Sequence, residues 1–203
     1  MKIEHKIGIG VIVMLGILAI IIFTGFITMG WFIGNYNKLS TGRVDIATQW
    51  SNVKTEYQRR ADLLYNMAEV VKSYAKFEEK TLISIAAARS GNFGTTKTQE
   101  ISTMKQQDAV STTLMGNFVK LQEMYPELKT SEQYMTLLNT LQDTENRINI
   151  ARTDYNNIVR SYNLMIVKFP SNFIASSFNF QQEQFYINEE TTNTAPKLDM
   201  NLT

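Results

Sequence analysis

The sequence predicts an all-α protein: an N-terminal transmembrane helix followed by an elongated antiparallel bundle of three long helices plus a short C-terminal helix. Three observations predict it. Residues 7–37 carry no charge. Beyond them, apolar side chains recur at steps of three and four, the period of one helix face. No strand pattern competes, because apolar–polar alternation is short and the turns lack hairpin dipeptides. The chain divides into a flank at 1–6, an anchor at 7–34, a helical bundle at 35–180 and a polar tail at 181–203.

The anchor reads "IGIGVIVMLGILAIIIFTGFITMGWFIG". About 20 apolar residues cross a bilayer, so the run is long enough. Its glycines are tolerated in a lipid-embedded helix, and Trp31 and Phe32 fall where interfacial aromatics sit. A cleaved signal peptide would have a shorter apolar core and an A-x-A-like site after it. The chain has no cysteine to acylate. Lys2 and Lys6 precede the run, and Lys38, Arg43 and Lys54 follow it, so charge asymmetry does not decide orientation. The expectation is a single-pass protein of the bacterial inner membrane, with its soluble part outside the cytosol.

Four helices are expected in the bundle, at about 41–90, 101–124, 131–169 and 172–178. In the first, Ile46, Trp50, Val53, Tyr57, Leu64, Met67, Val71 and Tyr74 form one stripe. Arg60 falls inside that stripe and needs a partner if buried. "SGNFGTTKT" (90–98) reads as a helix stop and a loop. In the second helix Leu114, Phe118, Leu121 and Tyr125 make the apolar face. Pro126 breaks it, and Thr130 or Ser131 caps the next helix. The third helix repeats Tyr134, Leu137, Leu141, Thr144, Ile148, Ala151, Tyr155, Ile158, Tyr162, Met165 and Phe169, a coiled-coil seam. Pro170 ends it, and a short helix capped at Ser171 follows.

Composition removes several functions. The chain carries 20 basic and 19 acidic residues, and a neutral protein is a poor polyanion binder, which argues against nucleic acid. With no cysteine and only His5, thiolate nucleophiles, catalytic triads and histidine-rich metal sites have no raw material. Glu69, Glu78, Glu79, Glu123, Glu127, Glu132 and Glu145 do not form Glu-x-x-His pairs, so di-iron chemistry is not indicated. No G-x-x-x-x-G-K occurs, and "GNFG" is a turn. The expectation is no enzyme, no catalytic residues, no metal and no cofactor.

Two features remain. "TENRINIARTDYNNIVRSYN" (144–163) is dense in asparagine, a middling helix former, and the propensity it costs must be offset. One reading is an interhelical polar layer that fixes register, drawn from Arg59, Arg60, Asp62, Asn66 and Glu69 in one helix and Glu145, Arg147, Arg152 and Asn156 in another. Asp62 and Glu69 would face Arg147 or Arg152. The other reading is a solvated face. The stretch "SNFIASSFNFQQEQFY" supplies Phe173, Ile174, Phe178, Phe180 and Phe185, either as a cap on the bundle or as an interaction patch. Membrane insertion is disfavoured here, because in a chain of alternating helix directions this stretch lies at the distal tip.

Several blocks resemble a known family: "QWSNVKTEYQRRADLLYNMAEVVKSYAKFE" (49–78), "AARS" (87–90), "YPELKTSEQYMTLLNTLQDTENRINIARTDYN" (125–156), "VRSYNLMIVKFPSNFIASSFNF" (159–180) and "APKLD" (195–199). R-R-x-D-L, T-E-N-R-I, A-R-x-x-Y-N and F-P-S-N together resemble the LemA family of bacterial membrane-anchored proteins. The resemblance implies a helical bundle behind one membrane segment and no assigned enzymatic activity. Family members occur in magnetosome formation and near membrane-peptidase genes, which implies membrane organisation or quality control. Tyr65 departs from the pattern, standing where the family has proline.

The functional expectation is a structural or scaffolding role, or a protein-interaction role, at a bacterial membrane. Its partners would be the lipid bilayer through the N-terminal helix, further copies in a homo-oligomer, and a membrane protein such as a membrane peptidase. The alternative is a ligand-binding or sensory accessory subunit, which would need a partner to carry its signal.

Overall fold

This computed structural model describes residues 2–72 and 93–186, with residues 2–13 by backbone only. All regular structure among the described residues is helical. Helix α1 spans Lys2–Val71, α2 Lys97–Met124, α3 Glu127–Thr130, α4 Glu132–Val167 and α5 Ser171–Ser177.

Helix α1 is unbroken where the sequence suggests an anchor ending near 34 and a new helix beginning near 41. Gly42 is the apparent breaker, but its role is close approach. A Cβ there would lie 2.9 Å from the Tyr162 ring, so glycine lets α4 come near while the helix continues. The expected extension of this helix to about 90 falls largely on residues 73–92, outside the described residues.

Helix α2 starts at Lys97, earlier than expected. Thr96 and Gln99 form a capping box: Gln99 N donates to Thr96 Oγ1 at 3.4 Å and Thr96 N to Gln99 Oε1 at 3.2 Å. That reciprocal pair satisfies two orphan donors and pulls the helix start forward. At α4 the Tyr134 amide donates to Ser131 Oγ at 3.4 Å. Ser171 does not cap α5. Its hydroxyl donates back to the Met165 and Lys168 carbonyls, at 2.6 and 2.9 Å, which satisfies the end of α4 instead.

The chain packs as two units, residues Met1–Asp45 with Ser161–Glu183, and Ile46–Arg160 with Gln184–Thr203. In the second unit α1 and α2 run parallel. Trp50 meets Glu100 and Arg60 meets Asp108, so both helices advance together. Helix α4 opposes both: Arg60 meets Glu145, and Trp50 stacks on Tyr155. The expected alternation of three helices is therefore corrected.

One end of this unit is apolar. Leu64, Met67 and Val71 pack with Leu114, Phe118, Leu128, Tyr134, Leu138 and Leu141. Along α4 the expected seam shifts by one residue at two places: Leu138 and Val159 are buried, while their neighbours Leu137 and Ile158 are only half-buried. The seam also keeps the expected Thr144 and Ala151, both buried, and Glu145 and Arg152 each stand one residue beyond them, half-buried at its flank.

In the first unit, the side chains at 14–33 of α1 are all exposed, as a lipid-facing helix requires. Ile174 and Ala175 of α5 are buried. Asn179, at φ 55°, closes α5 in a Schellman motif: Phe180 N donates to Ala175 O at 2.9 Å and Asn179 N to Ser176 O at 3.3 Å. Asparagine tolerates this left-handed position better than most residues. The turn lets Phe178 and Phe180 both reach Tyr36, with ring centroids at 4.9 and 5.8 Å.

Candidate functional site

Three helices interrupt their apolar seams at one level of the second unit. Helix α1 brings Tyr57 and Arg60, α2 brings Asp108 and Ser111, and α4 brings Glu145 and Arg152. Arg60 is 2 % exposed, a cost that only paired charges offset. Its Nη1 donates to both Glu145 oxygens at 3.0 Å, and its Nη2 to Asp108 Oδ1 at 2.9 Å. The planar fork of arginine serves two carboxylates from different helices at once, which an ammonium cannot match in geometry. Ser111 Oγ adds a bond to Glu145 Oε1 at 2.9 Å.

Asp108 is the hub. Arg152 Nη2 donates to its two oxygens at 2.7 and 2.6 Å and also to the Tyr57 hydroxyl. The hydroxyls of Tyr57 and Tyr186 lie 3.1 and 3.2 Å from Asp108 Oδ2 and 2.8 Å from each other. The guanidinium of Arg152 stands over both phenol rings, 5.2 and 4.7 Å from their centroids, adding cation–π attraction. Two guanidiniums and two carboxylates leave the layer neutral.

Burial pushes the Tyr57 phenol well above its usual range, and the Asp108 charge pushes it further. Burial also raises Tyr186. For Arg152, burial opposes the charged form, but Tyr57 and Asp108 more than reverse that and the net direction is upward. The two phenols therefore stay protonated, and Arg152 stays charged, through the physiological range. Arg152 Nε is buried without a hydrogen-bond partner among the described residues.

Of the nine residues proposed for a polar layer, the structure brings Arg60, Glu145 and Arg152 together. Asn156 sits one step away with another task. Its Nδ2 donates to Tyr186 O and its Oδ1 accepts from Tyr186 N, both at 2.9 Å. Arg59, Asn66 and Arg147 are exposed, Asp62 is half-buried, and exposed Glu69 pairs with Lys72 at 3.7 Å. The carboxylate that meets Arg152 is Asp108 of α2, where Asp62 or Glu69 of α1 was expected. Asp108, Ser111, Tyr57 and Tyr186 are absent from the expected layer. A signal for two of them is present, since stepping back from Leu114 by three and then three or four reaches Ser111 and Asp108.

The asparagines also hold the chain after α5. In the first unit Asn163 Nδ2 donates to Glu183 O at 2.9 Å and its Oδ1 accepts from Glu183 N at 2.8 Å. In the second, Asn156 does the same for Tyr186, and Tyr155 Oη donates to Gln184 O at 2.7 Å. Each carboxamide thus satisfies a backbone donor and acceptor that would otherwise lack partners. This offsets the helix propensity that asparagine costs.

The aromatic stretch divides. Ile174 is buried and Phe180 half-buried, while Phe173, Phe178 and Phe185 are exposed. Phe178 nonetheless touches Phe32, at 5.8 Å between centroids, as well as Tyr36. The stretch therefore lies beside the last turns of the charge-free run, not at a distal tip.

Among the described residues no cluster of histidine, aspartate and glutamate suits a metal. The layer's acids face guanidiniums, not an open position.

The sequence model of the LemA family matches residues 49–200. Protein LemA of Metamycoplasma hominis is 28% identical over 150 residues, covering 73% of this chain and 67% of that protein. Magnetosome protein MamQ 2 of Paramagnetospirillum magneticum is 23% identical over 201 residues, 86% of this chain and 71% of its own length. Magnetosome protein MamQ of Magnetospirillum gryphiswaldense is 22% identical over 209 residues, 90% and 75%. These names state no reaction.

Proposed function

The chain belongs to the LemA family, and from that premise we propose that it is a non-catalytic scaffold of a bacterial inner membrane, self-assembling through its helix faces and holding its bundle outside the cytosol. The observation that carries the reading is the pairing of one continuous helix, Lys2–Val71, with a layer whose charges are engaged with one another. The helix joins an apolar segment to the bundle without a break. The layer keeps its ionisable groups for register, not for a substrate. Relatives named as magnetosome proteins support a structural part in an organised membrane assembly. A membrane protein, such as a membrane peptidase, is the kind of further partner a scaffold of this class would hold.

Ile150 of α4 offers a face for self-association, being exposed and apolar beside Asn149 and Arg147. The native chain lacks cysteine, so an Ile150→Cys variant gives an unambiguous crosslink. Light scattering in detergent is expected to show a discrete oligomer, and oxidation in membranes to give a disulfide-linked dimer. A monomer without crosslink would remove the self-assembly reading. An impermeant maleimide on Thr153→Cys in intact cells reports the side of the membrane. Labelling only after lysis would place the bundle in the cytosol.

A further inference from the structure

We propose that the phenylalanine-rich turn around α5 is a second membrane contact, with Phe169 and Phe173 inserted into the interfacial layer of the bilayer that α1 spans. It requires the membrane anchor but not self-assembly.

The argument starts from exposure. Phe169 is 78 % and Phe173 65 % exposed, and the two rings touch edge to face at 5.9 Å. Val167 and Leu164 beside them are exposed too. Two adjacent phenylalanines held in water at a tight turn are unusual in a soluble surface and fit a partner that is itself apolar.

Position then selects the partner. Within the same unit Phe178 stacks on Phe32 and Tyr36. Those two residues lie in the final turns of the charge-free run, on the helix that carries the exposed apolar side chains from Met14 to Phe32. Trp31 and Tyr36 are the amphipathic aromatics expected at headgroup level. The turn is thus built onto the anchor at the level where hydrocarbon gives way to headgroups.

Charge agrees. Lys168 is the only charged residue between 161 and 182, and Lys38 and Arg43 follow the apolar run on α1. The Arg43 guanidinium stands over Phe180 at 5.9 Å. Basic groups around an exposed aromatic cluster suit anionic headgroups. The short helix α5 keeps Ile174 and Ala175 inward and presents Phe173 outward, so insertion costs the fold nothing.

The test is site-directed spin labelling of the full chain in vesicles of phosphatidylethanolamine and phosphatidylglycerol. Nitroxides are placed singly at Phe173→Cys and Phe169→Cys, with Phe26→Cys as the lipid standard and Thr153→Cys as the aqueous standard. Oxygen reaches labels in hydrocarbon, and a polar nickel chelate reaches labels in water. The expected result is an oxygen-to-nickel accessibility ratio at 169 and 173 several-fold above that at 153 and shifted toward that at 26. A ratio equal to that at 153 overturns the proposal. Low access to both reagents with dipolar broadening assigns the turn to a second copy of the chain and overturns it equally. Two label positions guard against a local disturbance at either one. A monomeric protein would remove self-assembly and leave this result untouched.

Discussion

The core of the second unit has two halves built on the same seam. One half, from Leu64 to Val71 on α1, is packed by leucine, methionine and phenylalanine. The other, around Arg60, is packed by two arginines, an aspartate and a glutamate. Both bury the same stripes. The difference lies in what a slip would do. An apolar half shifted by one heptad still sets large side chains against large side chains, and the loss is a matter of fit. A shifted ionic half strands a guanidinium away from water. The apolar half supplies burial, and the ionic half selects one register and one set of neighbours.

The largest effect expected from breaking that contrast is at Arg60. Arg60→Ala leaves Asp108 and Glu145 facing each other without their shared cation and should cost about 4 kcal/mol in denaturant unfolding. Replacing Arg60, Asp108, Glu145 and Arg152 together by leucine should recover most of that loss, while broadening the amide spectrum as register loosens. If the fourfold variant is as unstable as the single one, the layer contributes stability itself and the contrast fails.

Next in size is Leu141→Ala in the apolar half. Leu141 is fully buried, so truncation should cost about 3 kcal/mol through lost transfer energy and a cavity. Its amide spectrum should stay sharp. Broadening there would mean that the apolar half also sets register.

The smallest effect is with pH. Tyr57 is held above its unfolded value of 10.0, first by burial and then by Asp108. Below pH 10 the folded and unfolded chains both keep that proton, and the contribution is complete. As pH rises past 10 the unfolded phenol releases its proton while the folded one retains it, so stability falls. The denaturation midpoint should be level up to about pH 10 and drop beyond it, and Tyr57→Phe should flatten the drop. Tyr134, in the apolar half, is raised by burial in the same direction. A Tyr134→Phe variant that flattens the drop more than Tyr57→Phe would assign the effect to burial alone.

Much of this was readable along the chain. Arg60 declares itself by standing in an apolar stripe, and Glu145 and Arg152 each follow directly on a buried seam position, Thr144 and Ala151. Ser111 and Asp108 appear once the α2 face is read backward from Leu114. What defeats the reading is partner choice. Asp62 and Glu69 carry carboxylates as Asp108 does, and their own helix offers no sign that Arg152 will pass them over. Tyr186 enters the layer from far down the chain, carried there by the carboxamide of Asn156.

The sequence by itself determined the anchor, the helices and the faces they bury, because an uncharged run and a three-four period act over a few turns and need no distant partner. Only the tertiary structure decided that α1 and α2 run parallel, that Asp108 serves both arginines, and that the phenylalanines after Pro170 return to the end of the anchor. Those outcomes depend on which helix faces meet, and helix direction is set by the whole unit at once.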